Sequence, residues 1–278
     1  YSAGGAKRWI RFGLLTFQPA ELAKIAFVFF LAKNNSRASY RPTQFFSIFS
    51  HLIILFFFIA LLLLQPDFGT ACILTLLTLT LIFTSGTPIK FFVSLAAGVL
   101  CAGGFAIVSS PYRMKRLLGF LDPWENVRSG GYQIIQSYIA FNNGKLLGTG
   151  FGLSKQTLFF LPEAHTDFIL SVIAEELGLL GSFTVLLLFF YSMYLGFMIV
   201  KKQRDIFRKN LALGLVSLLC CQVILNLFVV TGLLPTKGLP LPFVSYGSSS
   251  VLCFSFVICL LYKLDKHESS LQKTARST

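Results

Sequence analysis

The chain has 278 residues, of which 55% are hydrophobic and 13% charged, with 31 phenylalanines and a formal net charge of +13. Together with a mean hydropathy of +0.73, this excludes a soluble globular domain, because so apolar a chain would expose adhesive surface on every side. The positive charge does not indicate nucleic-acid binding. The basic residues fall in loops between apolar runs rather than in an aromatic-interleaved patch, as topology signals at an anionic membrane face do.

Residues 1–18 are polar and glycine-rich. They read as a loop between membrane helices, so the chain is expected to start partway through a larger protein, with no signal peptide before its first span. Apolar runs near the length of about 20 residues that crosses a bilayer then predict seven spans. They cover roughly 19–33, 45–64, 68–85, 89–109, 168–200, 211–232 and 248–264. Pro19 suits the first turn of the first helix, and the fifth run is long enough to be tilted or broken near Gly178 and Gly181. The fold class expected is an all-α polytopic membrane protein, with residues 1–278 forming a single membrane domain.

Lys and Arg set the orientation. Lys33, Arg37 and Arg41, then Lys90, then Lys201, Lys202, Arg204, Arg208 and Lys209, and finally Lys263, Lys266, Lys273 and Arg276 share one side, which is cytoplasmic. The Gln65-Pro66-Asp67 corner, the 110–167 loop and the Pro235–Ser250 segment lie outside. The first segment, with Lys7, Arg8 and Arg11, also lies outside, against the simple rule, unless those cations serve a function. The 110–167 loop is too long for a plain connector. Tyr132, Ile134, Ile135, Tyr138 and Phe141 within it predict a surface-lying helix or a re-entrant segment.

Six cysteines (72, 101, 220, 221, 253 and 259) all lie in apolar runs without metal-ligand spacing, and read as small core hydrophobes. The chemistry gathers on the outer side instead. Leu161-Pro-Glu-Ala-His-Thr-Asp-Phe-Ile169 and Ala174-Glu-Glu-Leu-Gly178 place Glu163, His165, Asp167, Glu175 and Glu176 at the entrance to an apolar span. Ionisable groups there mark a functional site, or a solvated loop with acids at a helix N-terminus. Glu21 and Lys24 share a helix face, either as an intrahelical pair or as a cationic site for an anionic head group beside Lys7, Arg8 and Arg11. Asp67 caps the next helix or acts directly. The Pro235–Ser250 segment, with Lys237 and Ser245, is irregular backbone of the kind that persists at membrane depth only where protein or a water-filled cavity satisfies it. Gln222 and Asn226, four apart, are expected to bond neighbouring helices. No Gly-x-Ser-x-Gly, His-Glu-x-x-His or Walker loop is present. A carboxylate near cations at an outer membrane face suits activation of a hydroxyl next to a diphosphate leaving group.

These motifs, in this order, resemble the SEDS family (shape, elongation, division and sporulation). The likeness runs through Gly5-Ala-Lys-Arg-Trp-Ile10, Gln18-Pro-Ala-Glu-Leu-Ala-Lys24, Gln65-Pro-Asp-Phe-Gly-Thr70, Gly131-Tyr-Gln-Ile-Ile-Gln-Ser137, the two acidic stretches and Leu241-Pro-Phe-Val-Ser-Tyr-Gly247. Ala20, Ala164 and Leu234-Pro-Thr-Lys-Gly238 resemble its division branch more than its elongation branch. Ser248 departs from the family, which usually carries a second glycine there. It is expected to stiffen that turn.

The resemblance implies ten membrane helices, of which this chain is similar to the last seven. It implies a peptidoglycan glycosyltransferase that polymerises lipid II at the outer face of the bacterial cytoplasmic membrane, during septal wall synthesis. The implied partners are a class B penicillin-binding protein (a transpeptidase) and other divisome proteins. Asp167 is the expected base, with Lys7, Arg8 and Lys24 neutralising the leaving diphosphate. Glu21, Asp67, Glu163, His165, Lys237 and Ser245 are expected substrate contacts, and Glu175 and Glu176 are expected to support them. No resident cofactor is demanded, although a divalent cation (Mg or Mn) would assist. The rival roles are a lipid II flippase and an inactive scaffold that recruits the transpeptidase.

Overall fold

The computed structural model describes residues 2–3, 6–7, 9–12, 15–37, 39–127 and 130–277. Two short antiparallel pairs, β1 (Ser2–Ala3) with β2 (Ala6–Lys7) and β3 (Ile10–Phe12) with β4 (Leu15–Phe17), occupy the segment expected to be loop. Helices follow: α1 (Pro19–Asn35), α2 (Phe45–Leu64), α3 (Phe68–Thr84), α4 (Ile89–Val108), α5 (Pro111–Leu121), α6 (Gly131–Gly144), a single π-helical turn (Gln156–Phe160), α7 (Ile169–Lys202), α8 (Ile206–Val230) and α9 (Ser248–Ser277). All seven expected spans are helical. Five of them (α2, α4, α7, α8 and α9) are long and apolar enough to cross a bilayer. α1 and α3 have 17 residues each, about 26 Å at 1.5 Å per residue, and α1 carries Glu21 and Lys24.

The chain forms two compact units. The first comprises residues 1–94, 191–221 and 248–278. Its core is α3, whose Ile73, Leu74, Leu77, Leu81 and Ile82 are fully buried, with Phe27, Val28 and Leu31 of α1 and Ala212 and Leu215 of α8. A Cβ on Gly214 would meet Val28 at 2.6 Å, so α8 approaches α1 as closely as small residues allow between membrane helices. The C-terminal ends of α1 and α3 and the N-terminal end of α2 are joined by a largely buried polar network. His51 Nε2 lies 2.7 Å from Asn35 Oδ1, Asn35 Nδ2 donates to Ser85 Oγ at 2.8 Å, and Asn34 Nδ2 donates to Ser50 Oγ at 2.6 Å.

The second unit comprises residues 95–190 and 222–247. The 110–167 segment is ordered into α5, α6 and the π turn. The aromatic-rich stretch expected as a surface-lying helix or a re-entrant segment is α6, which buries one face and exposes Tyr138 and Ile139. Ile134, Ile135, Ser137 and Ala140 are buried. Ser137 Oγ donates to Val230 O at 2.6 Å and lies 2.8 Å from Ser171 Oγ. The exposed amphipathic element is α5, which carries Lys115 and Arg116 and bares Leu118 and Leu121. α7 breaks at Gly178 (φ 67°, ψ −168°), one of the two positions at which its length suggested a break.

Candidate active site

Asp167 ends a tight turn that begins at Glu163. Glu163 sits in the left-handed region at φ 59°, which costs a non-glycine residue about 1 kcal/mol or more and persists only where surroundings enforce it. Its carbonyl accepts the Thr166 and Phe168 amides at 3.1 and 3.2 Å, and its Oε2 accepts Thr166 Oγ1 at 2.6 Å. Phe168 is 1% exposed and anchors the turn from below.

A second turn enforces the first. Between Leu239 and Tyr246, Phe243 is also left-handed at φ 63°. Tyr246 N donates to His165 O at 2.8 Å, and Ser245 Oγ donates to Thr166 O. Asn226 Nδ2 donates both to Asp167 O at 2.8 Å and to Leu239 O at 2.7 Å. Three consecutive carbonyls, at 165, 166 and 167, are therefore held by three donors from outside the turn. Gln222 Nε2, one helical turn before Asn226, donates to Pro240 O at 3.0 Å and steadies the second turn in its place.

This lacing presents a half-buried Asp167 beside the bare backbone of Gly238, where a Cβ would stand 3.4 Å from Asp167 Oδ2. Lys237 precedes that glycine, and Arg116 of α5 donates to Thr236 O at 3.2 Å. The loop that carries Lys237 thus runs past Asp167 and is fixed from α5. The side chains of His165 and Glu163 are exposed on the same turn.

Several expected contacts have other duties. Ser245 is 3% exposed; its hydroxyl accepts Leu241 N at 2.7 Å while donating to Thr166, so it holds the loop rather than meeting a substrate. Asn226 and Gln222 donate to loop carbonyls at 167, 239 and 240, because that backbone is irregular and needs donors. Glu175, 1% exposed, points away from the turn into α6 and the loop that follows it. Its carboxylate accepts Asn143 Nδ2 at 3.0 Å, Ser154 Oγ, and Gln156 N at 3.2 Å. Glu176, half-buried, offers its carbonyl to Gly150 N at 3.0 Å.

In the first unit, Glu21 and Lys24 form a buried ion pair at 2.8 Å, 4% and 1% exposed, with Lys24 Nζ 5.6 Å from the centre of the Phe254 ring. Ile25, Leu218, Cys253 and Val257 close around them. The intrahelical pair is the arrangement formed, since a head group would have to prise it open. Asp67 caps α3: Oδ1 accepts Thr70 N at 3.1 Å and Oδ2 accepts Thr70 Oγ1 at 2.8 Å, at 5% exposure. Lys7 lies in β2, while its side chain, and Arg8 altogether, fall outside the described residues. Among the described residues no three His, Cys, Asp or Glu side chains come together to hold a metal ion.

Residues 1–270 match the model of the FtsW/RodA/SpoVE family, described as a cell cycle protein. Among curated relatives, the probable peptidoglycan glycosyltransferase FtsW of Geobacter metallireducens is 41% identical over 261 residues, covering 94% of this chain and 70% of that protein. Its counterpart in Francisella salina is 38% identical, covering 98% and 69%. Among solved structures, a peptidoglycan synthase complex that coordinates polymerization and crosslinking contains a chain superposing with a TM-score of 0.79 at 26% identity, covering 96% of this chain and 75% of that one. The rod shape determining protein RodA of Thermus thermophilus gives 0.65 at 26%, covering 94% and 70%.

Two outcomes follow from this geometry. Lys24→Met strands Glu21 as a buried unpaired acid and is expected to cost about 3–5 kcal/mol, whereas Glu21→Leu with Lys24→Met removes both charges and recovers most of it. Thermal unfolding in detergent distinguishes the two, and equal losses would deny the pair its structural role. Glu175→Ala leaves two buried donors, Ser154 Oγ and Gln156 N, without an acceptor, at about 1–3 kcal/mol each, and frees Asn143 Nδ2 as well. Hydrogen exchange should quicken in a peptide spanning 149–156 and stay unchanged in α8.

Proposed function

The chain belongs to the FtsW/RodA/SpoVE family, and on that premise we propose that it is the polymerising glycosyltransferase of a membrane-bound wall-synthesis complex, with lipid II as substrate and Asp167 as base. It is a multi-pass membrane protein and a peptidoglycan glycosyltransferase of the FtsW kind. Asp167 takes the proton of the acceptor sugar's 4-hydroxyl. The oxygen attacks the anomeric carbon of the donor, the bond from that carbon to the diphosphate breaks, and undecaprenyl diphosphate departs.

The observation that carries this reading is the lacing of three successive carbonyls around a half-buried carboxylate. A general base needs a fixed position within hydrogen-bond reach of its proton. Here the carbonyls of His165, Thr166 and Asp167 are each held from outside the turn, and the buried Phe168 follows. Lys237, whose neighbour Gly238 lies against Asp167, is the cation of this unit that we assign to the diphosphate. Lys24, spent on Glu21, is not needed for it. A lipid-linked donor explains why such a site stands where an apolar span begins.

A flippase would need a polar path among the spans. Glu21, Lys24 and Asp67, the acids and the cation available for it, are spent on one another and on a helix cap. A class B penicillin-binding protein as the crosslinking partner, other divisome proteins, and residence at the septum are parts of the same proposal. They are supported by the resemblance to the synthase complex and to the division relatives.

Asn at 167 keeps the shape and loses the proton acceptor. Asp167→Asn, made in the full-length protein with its transpeptidase, is expected to lower lipid II polymerisation by about 10²–10⁴-fold while membrane insertion and partner binding persist. Near-normal glycan product from that variant would remove Asp167 as the base.

A further inference from the structure

The break in α7 is closed by the segment that follows α6. Leu179 N donates to Lys145 O at 2.9 Å and Leu180 N to Leu146 O at 3.3 Å. In the reverse direction, Thr149 N and Gly150 N donate to the carbonyls of Glu175 and Glu176 at 2.9 and 3.0 Å. The two chains touch at Gly148 and Gly178, where a Cβ on Gly178 would lie 2.4 Å from Gly148 N. Segment 145–150 is therefore fixed at the level of residues 175–180. Glu175 fixes its continuation at Ser154 and Gln156.

That level is readable from the helix. α7 ends at Lys201 and Lys202, basic residues of the kind that mark a cytoplasmic end. About 20 residues cross the hydrocarbon core, which carries the count from Val200 back to Gly181. The seam therefore lies where the outer hydrocarbon boundary falls. At this height the segment bares Leu146, Leu147, Phe151 and Leu153, with Phe151 86% and Leu147 79% exposed. The exposed Leu179 and Leu180 of α7 continue the same apolar band into the span. Exposed lysines, Lys145 and Lys155, bracket the segment in sequence.

We propose that residues 145–155 form an interfacial anchor that inserts its apolar side chains into the outer leaflet of the bilayer, with Lys145 and Lys155 reaching the lipid phosphates. Apolar side chains this exposed would be an aggregation surface in water. At the headgroup boundary the same side chains bind lipid, and flanking lysines extend their ammonium groups to the phosphates. The occupant is lipid and not a protein partner, because the patch continues a lipid-facing stretch of helix at a height set by that helix. Through Glu175, the anchor ties the depth of the loop leading to Asp167 to the membrane in which a lipid-linked donor lies. The inference does not depend on which reaction is catalysed.

The test uses full-length protein in nanodiscs, as Phe151→Trp and, independently, Leu147→Trp. Tryptophan emission is compared with the parent in ordinary phospholipid and in phospholipid brominated near the top of its acyl chains. The added emission is expected to be blue-shifted and to fall at least twofold in brominated lipid, at either position. Emission that is red-shifted, indifferent to bromine and quenched by aqueous iodide would overturn the proposal. So would emission that loses its access to iodide only when the transpeptidase is added, since the patch would then be a protein interface.

Discussion

Near a bilayer, every amide and carbonyl that leaves a helix must find a partner in the protein, and the second unit is organised around meeting that demand. Among its departures from helix are the gap in α7 at Gly178, the segment from Lys145 to Gly150, the turn from Glu163 to Asp167, and the irregular run from Leu234 to Gly247. Each is satisfied by another departure or by a buried polar side chain. Segment 145–150 closes the α7 gap with four main-chain bonds. Asn226, Gln222 and Ser245 close the two turns.

This economy gives the site its rigidity. A carboxylate on an ordinary loop would lose catalytic power to its own motion, because reaction needs a near-attack geometry held closely. Asp167 instead emerges from a turn whose strain at Glu163 is sustained by bonds from a second strained turn. Glu175 extends the arrangement backwards by holding Gln156, so the loop from 156 to 167 is tied down at both ends. The same pin holds the segment whose apolar residues meet the outer boundary.

Much of this was legible in the chain. Apolar runs located seven helices, five of them long and apolar enough to cross a bilayer. The Gly178 break was legible because glycine punctuates a run too long for one crossing, and Asp67 was readable as a cap by its position before Phe68. What escaped was the direction in which polar side chains turn. Glu175 and Asp167 stand eight residues apart in one acidic cluster, yet one faces inward to three donors and the other faces Gly238. Ser245 and Asn226 offered hydroxyl and amide chemistry, but only the fold shows that their donors are consumed by carbonyls. Lys24 looked like a phosphate ligand because its charge is visible in sequence, while its burial against Phe254 and Glu21 is not. The helix α6 carries Tyr and Phe that suggested a surface-lying or re-entrant segment, while Ile134, Ile135 and Ala140 on it are buried. Ser137, bonded to Val230 O, gave no signal beyond being a small polar residue in an apolar stretch.

The central claim is that the lacing acts through the base it positions. A double-mutant cycle between Asn226→Ala and Asp167→Asn measures this directly, with single-turnover polymerisation of lipid II as readout. If Asn226 serves to place Asp167, its removal slows the reaction in the native background and has no further effect once Asp167 is Asn. Equal slowing in both backgrounds would mean that Asn226 acts independently of the carboxylate, and would contradict the account.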